Sequence, residues 1–102
     1  MEFKNVTVKH KANVYHDGKV TSRTVLTPDG KTKTLGVMLP GIYRFNTQAA
    51  ERVDVTQGQC RVRLADQQEW KNYQEGQSFN IPASSHFDIE IKDFLDYVCH
   101  FE

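Results

Sequence analysis

The stretch Phe87-Asp88-Ile89-Glu90-Ile91-Lys92 decides the fold class. Apolar and charged residues alternate strictly across it. Successive side chains therefore fall on opposite faces of an extended strand, apolar inward and polar outward. Downstream, Asp93 turns the chain, and Leu95, Tyr97, Cys99 and Phe101 share one face of a last strand. Upstream, Pro82 to Ser85 reads as a loop, preceded by Phe79 and Ile81 on one face and by a turn at Gly76. Asp66 to Gln68 is a polar turn before Trp70 and Tyr73. Cys60, Val62 and Leu64 face one way, with Arg61 and Arg63 opposite. Val53 and Val55 share a face of the strand that Glu51 opens, and Gln57-Gly58 is expected to turn it.

The N-terminal half continues the pattern. Val20, Ser22, Thr24 and Leu26 alternate with Lys19, Thr21, Arg23 and Val25 after an Asp17-Gly18 turn signal. Thr27-Pro28-Asp29-Gly30 is a strong turn, because Pro presets φ and Gly accepts positive φ. Thr32 to Leu39 is the return strand of the resulting hairpin. Pro40-Gly41 breaks the chain, and Tyr43 and Phe45 then share a face of a strand over Ile42 to Phe45. Asn46 to Ala50 is a loop, and Ala49 to Val53 has room for one helical turn at most. About nine short strands without a helical period predict an all-β barrel or sandwich. One domain over residues 1–102 is expected, with residues 1–17 as an N-terminal extension or edge strand.

Composition narrows the class. The chain has 102 residues, 38% of them hydrophobic, with six Phe, four Tyr and one Trp to fill a small core. Two cysteines, Cys60 and Cys99, make no disulfide framework and read as reduced thiols of a cytoplasmic protein. No leader pattern is present, and no apolar run approaches the ~20 residues that cross a bilayer. A formal net charge of zero argues against nucleic acid as the main partner. Residues 1–50 carry eight Lys/Arg against three acids, and residues 51–102 five against ten. That asymmetry is either ordinary surface charge or a positive rim suited to an anionic substrate.

Two spacings resemble the cupin motifs. Glu51 precedes Gly58 by seven positions, and Gly76 precedes Pro82 by six. The first cupin motif places a His-x-His pair shortly before its glutamate, where this chain has Asn46-Thr47-Gln48-Ala49. The second places a glycine and then a histidine after its proline, where this chain has Ser84 and Phe87. A cupin metal needs about three imidazoles and a carboxylate converging on one point. His10, His16, His86 and His100 include no pair at ligand spacing. A single-domain cupin jelly-roll barrel without the metal site is therefore expected, its space filled or lined by Tyr43, Phe45 and Phe87.

A narrower resemblance runs from Gly18 to the C-terminus. Leu35-Gly36-Val37-Met38-Leu39-Pro40-Gly41-Ile42-Tyr43-Arg44-Phe45 resembles the signature stretch of the bacterial pyrimidine/purine nucleoside phosphorylases. Gly18-Lys19-Val20 with Ser22, Glu51 with Gly58, Glu69-Trp70 with Tyr73, Phe79 through Phe87 and Asp96-Tyr97-Val98-Cys99 fit the same family. The resemblance implies phosphate-dependent cleavage of the N-glycosidic bond of purine and pyrimidine nucleosides. The products would be free base and a pentose 1-phosphate, with inorganic phosphate as co-substrate and no cofactor. Small cupins often dimerise. A homodimer is thus expected, with the outward face carrying Asp88, Glu90, Arg61 and Arg63 as an interface.

Phosphorolysis develops oxocarbenium character at C1′, as glycoside hydrolysis does. It needs donors for phosphate, a group that stabilises positive charge on the sugar, and a donor for the departing base. Glu51 and Tyr43 are the catalytic candidates. Glu51 also fits a strand-edge glutamate paired with Arg52 or Arg44. Phe45, Phe79, Ser85, Phe87 and Tyr97 are the substrate-binding candidates, and the aromatic ones fit core packing equally. Lys19, Arg23, Arg44 and Arg63 are the phosphate candidates, and each also fits a solvated face. Without the resemblance, a non-catalytic cupin that binds a nucleoside- or sugar-like ligand satisfies the same residues.

Overall fold

A computed structural model describes residues 1–102. Ten strands form the chain: β1 (Thr7–Val8), β2 (Asn13–Tyr15), β3 (Val20–Leu26), β4 (Thr32–Met38), β5 (Gly41–Asn46), β6 (Glu51–Leu64), β7 (Lys71–Gln74), β8 (Ser78–Ile81), β9 (His86–Ile91) and β10 (Leu95–Phe101). All pairings are antiparallel, and the sheet runs β1-β3-β4-β10-β6-β9-β5. β2 adds to β3, and β7 and β8 add to β6.

The expected hairpin is β3–β4, with Val20 opposite Met38 and Leu26 opposite Thr32. Its turn closes through Gly30 N–H to the Thr27 carbonyl at 2.9 Å, with Gly30 at φ +83°. The first residues form edge structure, β1 and β2 both lying on β3.

The expected turn at Gln57-Gly58 is not formed. β6 is one strand of fourteen residues that bends there instead. Its first half pairs with β8 and β10, and its second half with β7 and β9. Two features make the bend. The β10 register slips so that Asp96 faces Gln57 while Tyr97 faces Val55, a bulge in β6. Gly58 takes φ +85°, where a Cβ would run into the Phe94 carbonyl. A glycine followed by alternating residues reads as a turn in sequence, but here neighbouring strands hold both sides of it in one strand. The Ala49–Val53 segment likewise becomes strand from Glu51 onward, with no helical turn.

The bend lets one strand serve both walls of the barrel, and the core lies between them. Val53, Val55, Cys60 and Val62 of β6 pack with Phe79, Ile81, Phe87, Ile89, Leu95 and Tyr97 in one cluster. Ile89 and Leu95 are fully buried. Each such aliphatic side chain contributes roughly 1.5–3 kcal/mol.

The alternation of β9 departs from expectation at one point. Asp88 points outward but is buried. Arg44 Nε donates to it at 2.8 Å from β5, and Arg63 Nη2 at 3.0 Å from β6. Arg61 pairs with Glu90 in the same way, and both Arg61 and Arg63 stack on Trp70. The charges expected to meet a second copy thus satisfy one another within the chain.

Candidate active site

One cavity of about 360 Å³ opens between the walls. That volume lies in the range of small-molecule sites, about 300–1,000 Å³. Phe45, Phe87, Met38 and Val53 supply its apolar walls. Phe45 and Phe87 are opposite each other in β5 and β9, with ring centroids 5.6 Å apart and planes nearly parallel. Tyr15 meets Phe45 edge-on at 6.1 Å. Asn46, Gln48 and Phe101 are exposed residues at its rim.

Its polar groups come from facing strands. Glu51, at the start of β6, is the one carboxylate lining the cavity. Its side chain shares the inner face with Val53, as the period of two requires. Cys99 of β10 donates its S–H to Glu51 Oε1 at 3.3 Å. Burial raises the Glu51 pKa, and the bond from Cys99 opposes that rise in part. Burial also pushes the Cys99 thiol well above the ordinary thiol range, with the Glu51 carboxylate adding to the effect. The thiol is therefore a fixed donor and not a nucleophile. Ser22, Thr34 and Tyr97 complete the polar lining. Burial holds the Tyr97 phenol at a pKa of about 12, so it keeps its proton at neutral pH.

Four of the sequence candidates meet here: Glu51, Phe45, Phe87 and Tyr97. The others lie elsewhere. Tyr43 is buried beside the cavity, with its hydroxyl donated to the Leu39 carbonyl at 2.6 Å and within 3.0 Å of the Pro40 carbonyl. Its oxygen is committed to the β4–β5 turn, and His16 covers its ring at 4.9 Å. Phe79 is core, packed on Tyr73 and Phe87. Ser85 sits in the loop before β9, its N–H donated to Thr47 Oγ1 at 3.0 Å. None of the four phosphate candidates lines the cavity. Arg44 and Arg63 hold Asp88 on the outer face. Arg23 donates to the His10 carbonyl, and Lys19 is exposed beside the His16–Gly18 turn.

The cavity also contains residues that the sequence did not single out, Tyr15, Ser22, Thr34 and Gln48 among them. One signal for Ser22 was present. It sits on the same face as Val20, and a small polar residue on an inward face is costly unless it meets a partner or a cavity.

A cupin barrel raises the question of a metal. The donors around this cavity are one carboxylate, one high-pKa thiol, hydroxyls and amides, with no imidazole. No group of three or more His, Cys, Asp or Glu side chains converges anywhere in the chain. These residues do not fit a cupin metal.

The fold is that of the cupins. Bacillus subtilis oxalate decarboxylase superposes on all of this chain with a TM-score of 0.76, at 15% identity and over 30% of its own length. Fold and site together define a cupin barrel with an aromatic cavity lined by one half-buried carboxylate. The chain belongs to the pyrimidine/purine nucleoside phosphorylase family, whose model matches residues 10–101. A pyrimidine/purine nucleoside phosphorylase of Cupriavidus taiwanensis is 55% identical over 101 residues, covering 99% of this chain and 96% of that one. A protein of unknown function from Acinetobacter sp. ADP1 has the same structure at a TM-score of 0.96, with 47% identity over 99% of this chain and 98% of that one.

Proposed function

We propose that this chain is a broad-specificity nucleoside phosphorylase acting in the cavity around Glu51. One observation carries the reading: a chain of this family places its single cavity carboxylate, half-buried, beside a buried phenol and two stacked phenylalanines. A phosphate oxygen attacks C1′ while the C1′–N bond breaks. The electron pair leaves with the base, which takes up the proton that hydrogenphosphate gives up, and the pentose keeps the phosphate.

Each lining group has a task in that step. Glu51, charged in an apolar wall, stabilises the positive charge that develops on the sugar, because few water dipoles compete with it. Tyr97 keeps its proton and donates a hydrogen bond to the departing base. Phe45 and Phe87 offer flat faces that accept purine and pyrimidine rings alike, which suits broad specificity. The amides of Asn46 and Gln48 are placed at the rim to hold phosphate. Lys19 and Arg23 contribute long-range attraction to an anion and no direct contact in the cavity. The scheme uses no cofactor.

The test is incubation of pure protein with uridine or adenosine, with and without phosphate, followed by separation of the free base. Phosphate-dependent base release with matching pentose 1-phosphate is expected. Binding of nucleoside without turnover would make the protein a ligand-binding cupin instead.

A further inference from the structure

The sheet leaves a seam between its two ends. β2, added to β3, lies at one end, and β5 closes the other. No backbone hydrogen bond joins β2 to β5. Side-chain rings bridge the seam instead. Tyr15 of β2 meets the Phe45 ring of β5 edge-on, with centroids 6.1 Å apart. His16, the next residue, meets Phe45 edge-on at 5.0 Å and lies tilted on Tyr43 at 4.9 Å. Tyr15 and Phe45 both line the cavity, so the seam borders it.

His16 reaches those rings from a strained backbone. His16, Asp17 and Gly18 have φ of 51°, 57° and 87° in succession. A left-handed backbone disfavours residues that carry a Cβ, and His, Asn and Asp least among them. Strain of this kind persists where surrounding contacts impose it. Here the two rings are those contacts, since His16 is otherwise exposed.

The Tyr43 ring is a fixed support, because its hydroxyl is donated to the Leu39 carbonyl. His16 leans on that support and against Phe45, and Phe45 in turn stacks on Phe87. Phe45 itself is only half-buried, so its ring depends on these neighbours for its orientation.

We propose that His16 is a positioning residue that holds the Phe45 ring, across the seam, in the plane against which the nucleobase stacks. The inference rests on the phosphorylase reading for the nature of the ligand, and not for the contact between the rings. His16 acts through Phe45 and needs no contact with substrate.

Two substitutions at one position separate the ring from the backbone. His16→Asn suits the left-handed conformation and has no ring. Its KM for uridine and adenosine should rise about 3–10-fold, the scale of lost aromatic contacts, with kcat changed less and the melting temperature near that of wild type. His16→Phe restores a ring on a residue that this backbone disfavours. Its KM should stay within about 2-fold of wild type, while its melting temperature falls by about 4–8 °C. A purely structural role would make KM follow stability instead. In a Phe45→Ala background, His16→Asn should raise KM no further, which tests the route through Phe45 even if His16→Phe folds poorly.

Equilibrium dialysis with uridine in the absence of phosphate gives a readout without turnover. The dissociation constant should rise with KM in His16→Asn. Unchanged KM and affinity in His16→Asn, a rise in folded His16→Phe as large as in His16→Asn, or an undiminished effect in the Phe45→Ala background would overturn the proposal. A wild-type protein that binds uridine and releases no base would overturn the phosphorylase reading alone, with the dissociation constants still deciding the role of His16. One that binds no nucleoside would overturn both.

Discussion

Glu51 and Cys99 face each other across β6 and β10, with the thiol donating to the carboxylate at 3.3 Å. A thiol is a weak donor, so this carboxylate receives little compensation for leaving water. Burial therefore dominates, and it raises the Glu51 pKa. Burial leaves this carboxyl under-solvated beside stacked phenylalanines, which disfavours its charged form.

Glu51→Gln separates turnover from stability. Turnover is expected to fall about 10²–10³-fold, the scale of losing one aimed electrostatic contact. Stability should move the other way. A carboxyl with a raised folded pKa stabilises fully below its unfolded pKa, and that contribution is lost as pH rises through the folded pKa. The Gln variant has no such loss. Its melting temperature relative to wild type should therefore rise as the pH increases from about 4 toward neutral. Thermal melts across that range check it, and a parallel loss of stability and activity would make Glu51 structural.

Cys99→Ala removes the only partner that lowers the Glu51 pKa. The acid limb of the kcat/KM profile should move to higher pH, with the plateau lowered less than in Glu51→Gln. An unmoved limb would mean that Glu51 does not set it.

Asp88→Asn tests the outer face. The Arg44 and then the Arg63 hydrogen bonds hold the Asp88 carboxyl at a pKa of about 2. A depressed pKa contributes stability above the unfolded value of 3.8, and this is lost as pH falls through about 2. The Arg44 and Arg63 side chains are 59% and 37% exposed, so solvent screening limits the contribution to about 1 kcal/mol. Loss of that amount at neutral pH is expected in denaturant melts, with the difference closing in acid. Activity per folded molecule should stay unchanged, because the pair faces away from the cavity.

Gly58→Ala tests the bend. The substitution meets both a positive φ and the Phe94 carbonyl. Destabilisation of at least about 2 kcal/mol is expected in denaturant melts. A smaller change would mean that the bend relaxes without cost.

The alternation of residues 87–92 fixed one strand by itself, because burial on a single face demands a period of two. The turn at Thr27 to Gly30 was equally legible, since proline and glycine encode its dihedral angles locally. Gly58 was not. A positive-φ glycine serves a turn or a bulge alike, and the choice is made by β8 and β10, which hold the first half of β6 in place. The site divides in the same way. Phe45 and Phe87 were visible as inward aromatics. Tyr43 was just as inward and aromatic, yet its hydroxyl is taken by backbone carbonyls three and four residues back.

Sequence alone determined the all-β class, the main hairpin, the inward faces and the family likeness, because these are properties of neighbours along the chain. The tertiary structure decided which inward residues enclose empty space and which are packed solid. It brought Cys99 to Glu51 over 48 positions. Such contacts depend on strand register, and register is set by the whole sheet and not by any one of its strands.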